Sequence, residues 1–139
     1  MQRTLRAFAL FALFCGLFSA VAWADKAAGG AATAADTWLK LVDSGQYADS
    51  WQQASALFQS RVDSASWTQK VAAVRGPLGP LLSRKLVSTQ TATSAAGAPD
   101  GHYVVMRYSS SFKMTSADEV VTMTLDPSGE WRVAGYFIG

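Results

Sequence analysis

Histidine, cysteine and paired carboxylates carry much of the chemistry of enzymes and metal sites, and this sequence offers few of them. His102 is the only histidine, with Asp100 two residues before it. One imidazole and one carboxylate fall short of the ligand sets of zinc or iron sites. A Ser-His-Asp arrangement is possible by composition, but no nucleophile-elbow spacing accompanies it. The sequence therefore predicts no metal site, no cofactor and no identifiable catalytic residue.

Two arginines beside a predicted turn are better candidates for binding. Arg75 lies in the last turn of a predicted helix, and Arg84 follows the Pro77–Pro80 connection. A guanidinium can bind a carboxylate or phosphate through two hydrogen bonds, so the pair could hold a small anionic ligand or a carboxylate of a protein partner. The alternative is that they are solvated or form structural ion pairs with Glu119, Glu130 or an aspartate. The ligand interpretation requires that one arginine reach a cavity.

Aromatic side chains provide the apolar part of such a site. Their spacing along helices and strands allows two interpretations: these side chains either line a cavity or pack in the hydrophobic core. The aromatic residues in question are Trp51, Tyr108, Trp131 and Tyr136. We select Arg75, Arg84, Trp51 and Tyr108 as the candidate ligand-binding residues.

Three functions remain open at this point. The preferred one is a non-catalytic module that binds a small ligand or a protein partner, because the sequence has so few catalytic groups. An isomerase-type or hydrolase-type enzyme is the alternative, and it requires an enclosed Asp, Glu or Tyr as general base. Asp118 and Glu119 begin a predicted strand, where we expect them at its edge, which argues against this alternative. The third is a structural or stress-related envelope protein.

The N-terminus has the features of a Sec signal peptide. A basic start with Arg3 and Arg6 precedes an apolar run over residues 7–21, and Ala22-Trp23-Ala24 places small residues at the −3 and −1 positions of a cleavage site. The apolar run is shorter than the roughly 20 residues that span a membrane. We therefore predict cleavage after Ala24, and a mature protein in the periplasm or the medium without a membrane anchor. The alternative is that the segment stays uncleaved as an N-terminal anchor.

Loss of this segment changes the charge and the redox chemistry. Removing Arg3 and Arg6 leaves ten basic and ten acidic residues, so the formal charge of +2 belongs to the signal peptide. A balanced mature chain gives no indication of nucleic-acid binding. The only cysteine, Cys15, is removed as well, which excludes disulfides and thiolate catalysis from the mature protein.

Three helices are predicted in the first half of the mature chain. Residues 25–33 are small and are expected to form a flexible lead-in. The apolar positions that recur at helical spacing are Ala35, Trp38, Leu39 and Val42 in the first helix, Tyr47, Trp51, Ala54 and Phe58 in the second, and Trp67, Val71 and Val74 in the third. Each stripe carries a tryptophan that can cover the apolar face of a sheet.

Four strands follow the helices. The predicted strands cover residues 83–93, 103–112, 118–125 and 130–138, and the last two form a hairpin around Asp126-Pro-Ser-Gly129. Strict alternation places Trp131, Val133 and Phe137 on one apolar face, with Gly135 leaving room for a bulge or a helix. The other face is rich in Ser and Thr and is either exposed or a homodimer surface.

Helices before strands indicate an α+β architecture, with three helices on one face of a four-stranded antiparallel sheet. The whole of residues 34–139 forms one domain in this prediction, which a chain of 139 residues can build around one core.

The sequence is similar to a family of domains of unknown function, number 4019, over residues 34–138. The matching positions in the first half are Gly45-Gln-Tyr47, Ser50-Trp51, Phe58, Val62, Trp67, Val71, Arg75-Gly-Pro-Leu-Gly79 and Ser83-Arg84. Those in the second half are Pro99-Asp-Gly101, Tyr103, Tyr108, Phe112, Glu119 and Gly129-Glu-Trp-Arg-Val-Ala-Gly-Tyr136. The resemblance implies a secreted or periplasmic bacterial protein of uncharacterised function. The element order also resembles the cystatin-like cone of the nuclear-transport-factor-2-like superfamily, a likeness of fold alone.

Overall fold

A computed structural model describes residues 15–95 and 97–139, with side chains described from Ala27 onward. The basic start of the predicted signal peptide and the first half of its apolar run lie outside the described residues. The helices are α1 (Cys15–Asp43), α2 (Tyr47–Gln53), α3 (Ala56–Arg61) and α4 (Ser64–Leu78). The strands are β1 (Leu81–Ala92), β2 (Tyr103–Phe112), β3 (Ser116–Leu125) and β4 (Trp131–Ile138). The protein is therefore α+β, and its described residues contain four helices where three were predicted.

The additional helix arises from a break in the predicted second helix. Ala54 has an extended backbone, and the amide of Ser55 donates to the carbonyl of Val133 in β4 at 2.9 Å. The Ser55 side chain then accepts a hydrogen bond from the amide of Phe58 and so begins α3 as its N-cap. Pairing with the sheet thus stabilises a break that helical periodicity alone did not reveal.

The first helix extends further toward the N-terminus than the sequence pattern indicates. Residues 25–33, predicted as a flexible lead-in, are helical, and both Ala27 and Ala31 are buried. Gly30 allows the close approach to the sheet, because a Cβ at this position would lie 3.2 Å from Cδ1 of Trp131. Helix α1 contacts all four strands and therefore spans the sheet.

The sheet is a simple antiparallel meander in the order β1-β2-β3-β4. Strand β2 occupies the predicted residues 103–112, because from Val104 onward its side chains alternate between buried and more exposed positions. The predicted hairpin is confirmed. Its turn is closed by the Gly129 amide, which donates to the carbonyl of Asp126 at 2.9 Å, while Gly129 adopts φ +87°.

A β-bulge in β4 corrects the predicted apolar face of that strand. Val133 pairs with Met123, but Gly135 pairs with Thr122, so Ala134 is an extra residue in the strand. An extra residue shifts the alternation by one position. Tyr136 therefore points to the helices, and Phe137 points away with 63% of its surface exposed. The prediction that Phe137 shares the buried face is wrong for this reason.

The core lies between the helices and one face of the sheet, as predicted. Trp38 and Trp67 are buried and their ring centroids lie 5.9 Å apart, with Tyr136 of β4 5.4 Å from Trp38. The buried Ser50 joins the two indoles, because its carbonyl accepts from Nε1 of Trp38 at 2.8 Å and its hydroxyl accepts from Nε1 of Trp67 at 2.9 Å. Within the described residues, no helix is both long and apolar enough to cross a membrane.

Candidate functional site

Two parts of the structure concentrate functional groups, and the first is a buried cluster of charges. Asp43 at the end of α1 accepts a hydrogen bond from Nη2 of Arg75 at 2.8 Å and two from Arg84, at 2.8 and 2.9 Å. Arg84 also donates from Nε to Oε1 of Glu119 at 2.8 Å. Four elements, α1, α4, β1 and β3, are thus joined by two cations and two anions.

These contacts are structural ion pairs, which was the alternative interpretation of the two arginines. Burial alone would raise the pKa of Asp43, but the hydrogen bonds from Arg84 and Arg75 outweigh this effect and hold the pKa below its ordinary value. Burial would likewise lower the pKa of Arg84, whereas its bonds to Asp43 and Glu119 raise it. Both partners are therefore stabilised in their charged forms.

Arg75 is the less completely bonded of the two arginines. Its side chain is 5% exposed, and its Nε and Nη1 atoms are buried without a hydrogen-bond partner among the described residues. The guanidinium carbon lies 4.8 Å from the ring centroid of Phe112, which provides a cation–π contact. The hydrogen-bonding capacity of the Arg75 guanidinium is therefore satisfied only in part.

Glu119 departs from the predicted position at an exposed strand edge, because β3 is an inner strand of the sheet. Its side chain is fully buried and accepts hydrogen bonds from Arg84, from Ser110 at 2.5 Å and from the hydroxyl of Tyr136. Burial, followed by the charge of Glu119, raises the pKa of Tyr136. The enclosed acid that an enzymatic function requires is thus present, but three donors already occupy its two oxygens. This arrangement is that of a structural carboxylate.

The two aromatic candidates lie apart from each other. Nε1 of Trp51 donates to the carbonyl of Val62 at 2.7 Å and so fastens α2 to the end of α3. Tyr108 is buried in β2, its hydroxyl 3.6 Å from the sulfur of Met106, and burial raises its pKa to about 12. Each of these residues has a structural contact of its own, and the structure does not bring Trp51 and Tyr108 together with the arginines in one cavity.

The second part is an open cavity of about 610 Å³ between α1, α2 and β4. Its apolar wall consists of Ala34, Trp38, Leu41, Met123, Trp131 and Val133. Small-molecule sites commonly have volumes of about 300–1,000 Å³, apolar walls and a few polar groups. Neither Arg75 nor Arg84 lines this cavity, and neither lines the smaller cavity of about 230 Å³ beside His102 and Trp131.

Polar groups surround the mouth of the larger cavity. Asp49 and Gln53 come from α2 and Thr37 comes from α1. Glu130 directly precedes β4, and Arg132 is its second residue. The Arg132 guanidinium is fixed by Asp126, which accepts from its Nε at 2.8 Å, and by Glu130, which accepts from its Nη2 at 2.5 Å. Hydrogen bonds from Ser128 and then from Arg132 lower the pKa of Asp126 to about 2.

Sequence reasoning missed most of these residues. For Asp43 a signal exists, because an acid in the last turn of a helix opposes the helix dipole and requires a cationic partner. For the residues that line the cavity, the sequence contains almost no such signal. Its lining comes from α1, α2, β3 and β4, and only Trp131 had been considered as a cavity residue. Among the described residues, no group of three potential metal ligands occurs.

Comparison with known proteins places the chain in a family without giving it an activity. No curated protein matches the sequence. No solved structure matches it either. One family model does match, over residues 34–136, and its description is "protein of unknown function (DUF4019)". Since the match covers most of the 139 residues, the chain belongs to the DUF4019 family.

Proposed function

We propose that this protein is an exported, non-catalytic binding module that takes a small ligand with an apolar body into the cavity between α1, α2 and β4. The cavity carries the proposal. Its volume of about 610 Å³ suits a small organic molecule, and Ala34, Leu41 and Trp131, which are partly exposed, provide apolar contact area.

The position of the cavity within the fold supports a binding role. Trp38 belongs to the core and its N–H is bonded to Ser50, so this part of the wall is held by the core. Gly30 and Trp131 are in close approach on the opposite side. A wall that is already ordered loses little conformational freedom when a ligand binds, which favours affinity.

Export is the second part of the proposal, and the sequence supports it. The basic residues Arg3 and Arg6, the apolar run and the small residues before Asp25 have the order of a signal peptide. Intact mass measurement of the protein recovered from its own cells tests this part. We expect the mass of residues 25–139, and a mass that includes the first 24 residues would contradict it.

The helix-before-strand order also supports a likeness to the cystatin-like cone.

Probe binding to two matched variants tests the ligand site. Thr37 and Thr33 are exposed threonines of α1, and each hydroxyl donates to the carbonyl four residues earlier, at 3.1 Å. Only Thr37 lines the cavity. The probe is N-phenyl-1-naphthylamine, a neutral aromatic compound whose fluorescence increases in apolar surroundings.

We expect wild type and Thr33→Phe to bind the probe equally, and Thr37→Phe to weaken binding by about tenfold or more, because its ring occupies part of the cavity. Circular dichroism and thermal unfolding establish that both variants are folded. Equal binding by the two variants, or no binding by wild type, would refute the proposed site.

A further inference from the structure

The charges at the mouth of the cavity are unequal, and this inequality bears on the kind of ligand. Three ionisable side chains line the cavity, namely Asp49, Glu130 and Arg132. Arg132 is paired with both Asp126 and Glu130, so its positive charge is already compensated. Asp49 has no ion pair within the part of the chain that the structure describes, and its side chain is exposed at the mouth. The three lining groups together carry a net charge of −1, and Asp49 is the carboxylate among them without a cationic partner in the described residues.

The apolar wall offers a second attraction of the same sign. Trp131 lines the cavity and is partly exposed, whereas Trp38 is only 3% exposed because its ring packs against Trp67 and Tyr136. An indole ring attracts a cation that lies over its face. The N–H of Trp38 donates to the carbonyl of Ser50 at 2.8 Å and is not available to bind an anionic group. The wall and the mouth of the cavity therefore both favour a positively charged ligand.

The single guanidinium at the cavity does not reverse this preference. Arg132 donates to Asp126, to Glu130 and, at 3.3 Å, to the carbonyl of Gln53. An anionic ligand would have to compete with two carboxylates for these donors. It would also lie near Asp49 and Glu130, and like charges repel.

We propose that the ligand of this cavity is an organic cation, with an aromatic or other apolar body and one amine or quaternary ammonium group directed toward Asp49. This inference rests on the proposed function, because it assigns the ligand class of the same cavity. It differs from the anionic ligand that the sequence suggested for Arg75 and Arg84. These two arginines lie on α4 and β1 and belong to the buried charge cluster.

Three probes with the same bicyclic body isolate the effect of charge. They are 1-naphthylmethylamine, which is a cation at pH 7, 1-naphthylmethanol, which is neutral, and 1-naphthoate, which is an anion. Binding to the full mature chain is measured by isothermal titration calorimetry in low salt. We expect the amine to bind about fivefold more tightly than the alcohol, which corresponds to an exposed ion pair, and the acid to bind most weakly. Added salt should reduce the preference, because the mouth is open to solvent.

Two carboxylate variants connect the preference to one side chain. Asp49→Asn should remove the difference between amine and alcohol, and Asp49→Glu should keep it. Asp36→Asn is the matched control, since Asp36 is an exposed acid of α1 that does not line the cavity, and it should leave the preference unchanged. The alcohol titration shows that each variant retains the cavity.

The outcomes separate the two proposals. Equal binding of amine and alcohol, tightest binding of the acid, or an unchanged preference in Asp49→Asn would overturn the cation assignment and leave the ligand site standing. Binding of none of the three probes would overturn the site itself and the cation assignment with it.

Discussion

Asp43, the last residue of α1, receives two hydrogen bonds from the guanidinium of Arg84 in β1, at 2.8 and 2.9 Å. The pair connects the end of the longest helix to an edge strand that otherwise has little buried surface. Because Arg84 also bonds the fully buried Glu119, one side chain connects an acid at the boundary of the fold to an acid in its interior.

Substitution of Arg84 tests the strength of this connection. Arg84→Ala would leave Glu119 buried without its cationic partner, and we expect a loss of about 3–5 kcal/mol in the free energy of unfolding. Arg84→Lys keeps the charge but cannot form the planar pair of bonds, so it should lose about 1–3 kcal/mol. Urea denaturation measures both. The exposed neighbour Lys85 is the control, and Lys85→Ala should remain within about 0.5 kcal/mol of wild type. Equal losses at Arg84 and Lys85 would contradict a structural role for the cluster.

The pH dependence of Asp43 has a definite sign. Its pKa in the folded protein lies below the ordinary value of 3.8, so its ionised form stabilises the fold. This stabilisation is present above about pH 4 and is lost as the pH falls through the folded pKa. We expect Asp43→Asn to be less stable than wild type by about 1–3 kcal/mol at pH 7, and the difference to shrink toward pH 2. Thermal unfolding at several pH values measures it, and a difference that does not change with pH would show that charge is not the cause.

Two adjacent glycines test whether residues 25–33 are helical in solution. A Cβ at Gly29 would meet nothing within 4 Å, so Gly29→Ala should stabilise the mature protein by about 0.5–1 kcal/mol through helix propensity. At Gly30 the same gain is opposed, because the new Cβ would lie 3.2 Å from Trp131 and the indole would have to move. Gly30→Ala should therefore be less stable than Gly29→Ala. If neither substitution changed the melting temperature, this segment would not be helical.

The bulge in β4 predicts unequal effects for two apolar residues of the hairpin. Met123 is fully buried, and Met123→Ala should lose about 2–5 kcal/mol. Phe137 is 63% exposed, and Phe137→Ala should change the free energy of unfolding by less than about 1 kcal/mol. Chemical denaturation of both variants measures the difference. A loss at Phe137 as large as that at Met123 would support the strict alternation of the sequence pattern over the bulged strand.

The confirmed parts of the prediction depend on local patterns. Strand β2 follows from apolar residues at alternate positions (Val104, Met106 and Tyr108), and the turn at Asp126–Gly129 follows from its residue types. Both signals lie within about ten consecutive residues. The break between α2 and α3 and the outward position of Phe137 were not predicted. Each depends on β4, through the pairing of Ser55 with Val133 in one case and the extra residue Ala134 in the other.

The sequence by itself determined the family, the α+β class, the four strands and the burial of Trp38 and Trp67, because hydrophobic period and turn chemistry are properties of neighbouring residues. Only the tertiary structure decided which charges meet and where a cavity remains. Asp43, Arg84 and Glu119 lie on three elements far apart in the chain, and the cavity wall comes from α1, α2, β3 and β4. The packing of those elements fixes such distances, and no local pattern encodes them.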